Sequence, residues 1–116
     1  MPRKGNKSIV PLESHISNAI CEYLEAKGYC FWRSNNIPTF SIGENGTIRM
    51  RSLPKYTPKG LPDITLILKG IYWGIEVKRP NMNQSPEQKE VEIWIKQNGG
   101  CYHVVRSLDD IIKLGF

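Results

Sequence analysis

The sequence predicts an α/β fold in which a mixed central sheet is flanked by helices, in the order α-β-(hairpin insert)-β-β-α-β-α. Three observations lead to this prediction. Apolar residues recur at helical spacing from residue 16 to residue 24. Apolar residues alternate with polar or small ones from residue 71 to residue 78, as they do in a strand. Finally, Ser85-Pro86-Glu87-Gln88 has the form of a capped helix start between two apolar strands, which are therefore expected to be parallel.

Turn and cap signals separate the elements. Gly28 is expected to end the first helix, because glycine readily adopts the left-handed conformation that closes a helix. Lys69-Gly70 is the expected turn between two neighbouring strands, and Pro80 stops the second of them. A basic N-terminal arm, residues 1–11, precedes a single domain, residues 12–116. The predicted elements are a helix over 12–28, strands over 29–33, 63–68 and 71–78, a helix over 85–98, a strand over 101–106 and a short helix after Ser107.

The hairpin insert covers about residues 39–51, around Glu44-Asn45-Gly46. A loop with Gly46 in the left-handed conformation places the apolar residues on one face, whereas a two-residue Asn-Gly loop scatters them. Arg49 and Arg51 then share the other face. The preferred register pairs Ile42 with Ile48 and Phe40 with Met50.

Composition and charge limit the class of protein. The 116 residues carry a net charge of +5, and residues 1–60 hold nine Lys or Arg against four Glu. Such a basic segment fits phosphate contact, or simply a solvated surface. No apolar run is long enough for a membrane helix, and the N-terminus does not resemble a secretory signal. A cytoplasmic or nucleoid-associated protein with reduced cysteines is therefore expected, and not a secreted one.

Asp63, Glu76 and Lys78 are the candidate catalytic residues. Glu76 and Lys78 lie two apart on a strand and point to one face, and the turn at 69–70 brings Asp63 beside them. Two carboxylates suit Mg²⁺, which Mn²⁺ could replace, and a metal with a nearby ammonium can hydrolyse a phosphodiester. The alternative is a charge pair on a wet sheet face.

Glu13 and Gln88 are further candidates. Glu13 shares the apolar stripe of the first helix, where it either faces the acidic pair or only favours the helix dipole. Gln88 lies on the stripe of Val91 and Ile95 toward the sheet, or serves only the capping box with Ser85. A histidine-based metal nuclease is disfavoured by the spacing of the two histidines. Trp73 and Trp94 are expected in the core, and Trp32 is left open between core packing and base stacking.

Pro62-Asp63 followed by Glu76-Val77-Lys78 is the literal PD-(D/E)xK signature, and its surroundings resemble the VRR-NUC (virus-type replication-repair nuclease) family. The resemblance covers roughly residues 12–110. It implies a restriction-endonuclease-like core, with Asp63, Glu76, the Val77 carbonyl and Glu13 at the metal, Lys78 acting on the attacking water and Gln88 supporting the site. The motifs that carry it are Glu13, residues 59–63, residues 74–80, residues 85–88 and residues 99–107.

The family resemblance implies a Mg²⁺-dependent, structure-selective DNA endonuclease. It is expected to act as a homodimer that cuts branched DNA, as a Holliday-junction resolvase does. The alternatives are a nicking, flap-directed or restriction-like endonuclease, and a non-catalytic nucleic-acid-binding module on the same fold. The hairpin insert either guides DNA or forms the dimer contact through its apolar face. The expected DNA-binding residues are Arg33, Arg49, Arg51, Lys55 and Lys59.

Overall fold

The computed structural model describes residues 10–34, 39–42, 44–51 and 55–116, with only the backbone described for residues 39–42 and 48–51. Most of the expected N-terminal arm, residues 1–9, lies outside the described residues, so the division into an arm and a single domain stays a prediction. In the described part of the chain, no helix has both the length and the apolar character needed to cross a membrane. The elements are α1 (Glu13–Lys27), β1 (Cys30–Arg33), β2 (Thr39–Ile42), β3 (Ile48–Arg51), β4 (Ile64–Leu68), β5 (Ile71–Val77), α2 (Pro86–Gln97), β6 (Cys101–Val105) and α3 (Leu108–Lys113).

Four strands form a mixed sheet in the order β1-β4-β5-β6. β4 pairs antiparallel with both β1 and β5, and the turn at Lys69-Gly70 joins β4 to β5. β5 and β6 are parallel, as predicted from the helix between them. The predicted α/β class with a mixed sheet and flanking helices is therefore confirmed.

The hairpin insert forms a separate two-stranded sheet of β2 and β3. Its backbone register pairs Ile42 with Ile48 and Phe40 with Met50, and Gly46 has a φ of 76°. The register argued from the grouping of apolar residues is confirmed. Arg49 and Arg51 occupy the positions opposite Ser41 and Thr39.

Local chemistry marks the end of α1 and the starts of the two later helices. α1 ends at Gly28, whose φ of 80° is left-handed, as predicted. α2 starts with the predicted capping box: the Ser85 side chain accepts from the Gln88 backbone N–H, and the Gln88 side chain accepts from the Ser85 backbone N–H. Ser107 caps α3 by accepting from the backbone N–H of Asp110. These caps fix the position of the helix starts against the sheet.

The main core lies between one face of the sheet and helices α1 and α3. Ile75 and Val77, two of the odd-numbered residues of β5, point into it and are completely buried. Each fully buried aliphatic side chain contributes about 1.5–3 kcal/mol relative to exposure. The even-numbered residues of β5 point to the opposite face, which α2 covers. The buried members of the core cluster are Ile16, Ile20, Leu24, Ile64, Leu66, Ile75, Val77, Val105, Ile111 and Phe116.

The tryptophans differ in their environments. Trp73 packs against the core and stacks on His103, with ring centroids 5.4 Å apart, as its predicted core position requires. Trp94 was expected in the core, and this prediction is wrong, because its side chain is 57% exposed. The strands beneath it begin only at Ile71 and Cys101, so Trp94 borders an open groove of about 400 Å³ rather than a packed surface. Trp32 is 53% exposed on the edge strand β1.

Candidate active site

Asp63 and Glu76 meet where β4 begins and β5 ends. Asp63 immediately precedes β4, and the antiparallel register places Ile64 opposite Ile75. The Asp63 carboxylate then reaches across to β5, where its Oδ2 accepts a hydrogen bond from the backbone N–H of Val77 at 2.8 Å. Because Val77 follows Glu76, this bond fixes Asp63 beside the Glu76 side chain. The expected convergence of the two carboxyl groups is thus present in the fold.

Glu76 is a buried acid, with only 1% of its surface exposed. Its side chain points to the α2 face of the sheet, where two donors meet it. Gln88 Nε2 donates to Glu76 Oε2 at 2.9 Å, and the Tyr102 hydroxyl lies 3.5 Å from Glu76 Oε1. Gln88 therefore combines both of its expected uses, because its Oε1 accepts from the Ser85 backbone while its Nε2 holds Glu76.

Burial is the largest cause that raises the pKa of Glu76 from 4.5 to about 9, and hydrogen bonding with Asp63 and repulsion from it act in the same direction. The ammonium of Lys78 lowers this pKa, and the charge of Glu13 raises it. Lys78 and Glu13 are therefore both within electrostatic reach of Glu76. The pKa of Glu76 is this high because the positive charge near it is too weak to favour the ionised form.

Three further polar residues, which no sequence motif marked as site residues, extend this network. The side-chain amide of Gln84 donates to the hydroxyl of Tyr102 and to Oε1 of Glu92, at 3.1 Å in both cases. Tyr102 is buried, with 4% of its surface exposed, and burial together with the charge of Glu76 raises its pKa. Tyr102 pairs with Gly74, but this register joins strands that are distant in the chain, so no signal in the sequence pointed to it.

Two glycines allow the close approaches that assemble the site. A Cβ on Gly74 would lie 2.6 Å from Pro62 Cγ and 3.3 Å from Tyr102 Cδ2. A Cβ on Gly60 would lie 2.6–2.8 Å from backbone atoms of Glu87 and Gln88, and Gly60 has a φ of 86°. Gly60 thus ties the segment that leads to Asp63 to the first turn of α2, while Gly74 lets Pro62 and Tyr102 pack over β5.

The donor set fits a magnesium ion better than a metal that needs three or four protein side chains. Each carboxylate oxygen has two acceptor positions, so the hydrogen bonds to Asp63 and Glu76 leave capacity for a cation. Mg²⁺ is commonly held by one or two carboxylates, with water and substrate phosphate completing its shell. Within the described residues, no three or more His, Cys, Asp or Glu side chains are placed to share one metal ion. Glu13 is half-buried in the first turn of α1, and its charge acts on Glu76, so its place at the metal stays a prediction.

The expected DNA-binding residues are distributed around this centre. Arg33 lies at the end of β1 and donates to Asn18 Oδ1 at 2.8 Å. Lys55 is exposed, with its Nζ 5.1 Å from the centre of the Tyr56 ring, and Lys59 is exposed just before Gly60. For Arg49 and Arg51 the structure describes the backbone positions alone, so the orientation of their side chains lies outside the described residues.

Comparison with solved structures identifies a close fold relative. A structure described as a VRR_NUC domain superimposes with a TM-score of 0.62 over 88% of this chain and 91% of the other, at 24% sequence identity. The chain has the VRR_NUC fold. No protein-family model matches the sequence, and no curated protein matches it either. The fold expected from the motif resemblance is thus supported by an independent comparison of shape.

Proposed function

We propose that this protein is a nuclease of the VRR-NUC family: a Mg²⁺-dependent, structure-selective DNA endonuclease of the Holliday-junction-resolvase kind. One observation carries the proposal. A carboxylic acid that is 1% exposed is held against a second carboxyl group at a strand end, with a lysine two residues away. Burying the ionised form of Glu76 beside the half-buried Asp63 is costly for stability unless a cation joins the two groups. The VRR_NUC fold around this pair supports the assignment.

Each residue of the centre has a distinct chemical task in this proposal. Asp63 and Glu76 would hold Mg²⁺, with the Val77 carbonyl as a further oxygen donor and Glu13 acting through water or a second ion. When bound, the metal would polarise the phosphate and lower the pKa of a water. The ammonium of Lys78 would orient the attacking water and offset the negative charge that builds up on the phosphate. Gln88 holds Glu76 in position from α2.

DNA binding requires positive charge outside the centre, because the carboxyl groups of Asp63 and Glu76 do not attract phosphate before a metal arrives. Lys55 and Lys59 are exposed on the segment that runs to Asp63, and Arg33 lies at the end of a neighbouring strand. Together with Arg49 and Arg51 of the hairpin they would guide a strand toward the metal. A symmetric homodimer would present two such centres to the two strands of a junction.

The test is cleavage of four-way, flap, nicked and linear DNA by the intact protein, with Mg²⁺, with Mn²⁺ and with chelator. We expect metal-dependent cutting, strongest on the four-way junction, and none with chelator. Asp63→Asn should abolish cutting and keep the fold, because an asparagine oxygen can still accept from Val77 while the metal-binding charge is lost. Preference for flap or nicked DNA would favour the alternative endonuclease activities. Binding without metal-dependent cutting would favour a non-catalytic module and refute the proposal.

A further inference from the structure

We infer that Tyr102 and Gln84 are positioning residues that orient Glu76 for metal binding; this inference rests on the proposed function. Glu76 has two carboxylate oxygens, and each faces a different donor. Gln88 donates to Oε2 and the Tyr102 hydroxyl faces Oε1. With a donor at each oxygen, the carboxyl group is held in one orientation, which leaves its remaining acceptor positions for a metal ion shared with Asp63.

The Tyr102 hydroxyl can donate to Glu76 because its own acceptor side is already used. Gln84 Nε2 carries two hydrogens, and it lies 3.1 Å from both the Tyr102 hydroxyl and Glu92 Oε1. One hydrogen goes to each oxygen. The hydroxyl therefore accepts from Gln84 and directs its single hydrogen at Glu76.

Packing fixes the ring that carries this hydroxyl. Tyr102 pairs with Gly74 across the parallel strands, and its ring approaches the position where a Gly74 side chain would start. The ring thus lies over β5 with little freedom to turn away. Residues that hold a metal ligand in place in this manner typically change metal affinity or activity by about 10- to 100-fold when they are altered.

The experiment measures Mn²⁺ binding to the intact protein by calorimetry, beside thermal unfolding of the same variants. Tyr102→Phe removes the hydroxyl and keeps the ring, and we expect it to weaken Mn²⁺ binding by about 10- to 100-fold. Gln84→Leu should weaken binding in the same direction, and the double variant should bind no more weakly than Tyr102→Phe alone, because both changes act on one hydrogen bond. Tyr72→Phe is the matched control: its hydroxyl lies on the same sheet face, 3.3 Å from Thr65 Oγ1.

The outcomes distinguish a failure of this inference from a failure of the proposed function. Normal Mn²⁺ affinity in Tyr102→Phe would overturn the positioning role. Equal weakening in Tyr102→Phe and Tyr72→Phe would also overturn it, since the effect would then be one of general stability. Glu76→Gln is the reference for the metal centre. If that variant binds Mn²⁺ as the wild type does, the metal site itself is refuted, and the proposed function falls together with the inference.

Discussion

The buried carboxyl group of Glu76 should make the metal-free protein less stable as the pH rises. The pKa of Glu76 is about 9 in the folded protein, against an ordinary value of 4.5. Between these values the folded state keeps the proton and the unfolded state releases it. The stabilisation is therefore fully present below pH 4.5 and is lost as the pH rises toward 9.

The size of the effect follows from the width of this window. One pKa unit corresponds to about 1.36 kcal/mol, so three pH units inside the window, from about 5 to about 8, remove on the order of 4 kcal/mol of unfolding free energy. Glu76→Gln should abolish this loss. Glutamine resembles the protonated acid, and it can still accept from Gln88. At neutral pH without metal, the variant should be more stable than the wild type, although it has lost a ligand.

The assay is urea unfolding followed by circular dichroism at several pH values, in the presence of a chelator. The informative quantity is the difference between the unfolding free energies of Glu76→Gln and wild type, since the other titrating groups largely cancel in it. Glu92→Gln is a control of opposite sign, because its hydrogen bond from Lys96 lowers the pKa of Glu92, so that its stabilisation is lost as the pH falls. A difference between Glu76→Gln and wild type that does not change with pH would refute the reasoning.

Three further changes test other parts of the site. Gly60→Ala should lower the unfolding free energy by roughly 1–3 kcal/mol in thermal or urea unfolding, because the φ of 86° and the nearby α2 backbone both oppose a side chain; wild-type stability would contradict this. Glu13→Gln should weaken Mg²⁺-dependent cleavage while the fold is kept, and unchanged rates across a Mg²⁺ titration would leave Glu13 only a helix-dipole role. Arg49→Ala with Arg51→Ala should reduce the salt slope of DNA binding by about two units, whereas an unchanged slope with a lost dimer in sedimentation would assign the hairpin to the interface.

The meeting of Asp63, Glu76 and Gln88 could be predicted because it depends on features that are local in the sequence. Strand alternation fixed the face of Glu76, a two-residue turn made β4 and β5 neighbours, and the capping box set the start of α2. From these three features the meeting of Asp63, Glu76 and Gln88 follows without any knowledge of the packing.

The outer network and the position of Trp94 could not be predicted in this way. The contact between Tyr102 and Glu76 depends on the register between β5 and β6, which are separated by a whole helix in the chain. The exposure of Trp94 depends on where the strands beneath α2 begin, and helical periodicity carries no information about that edge. Both properties arise from the way distant segments pack together.

Gly74 sets how closely the residues around the signature can pack. A single methyl group there would press on Pro62, the neighbour of Asp63, and on Tyr102, the partner of Glu76. Pro62 and Tyr102 would then have to shift, although every charged residue of the centre would still be present in the sequence. A related chain that kept the acidic pair and the lysine but carried alanine at this position would therefore match the motif with a different packing around its acids. The motif is defined by charged residues, whereas the space that they need is set by this uncharged position.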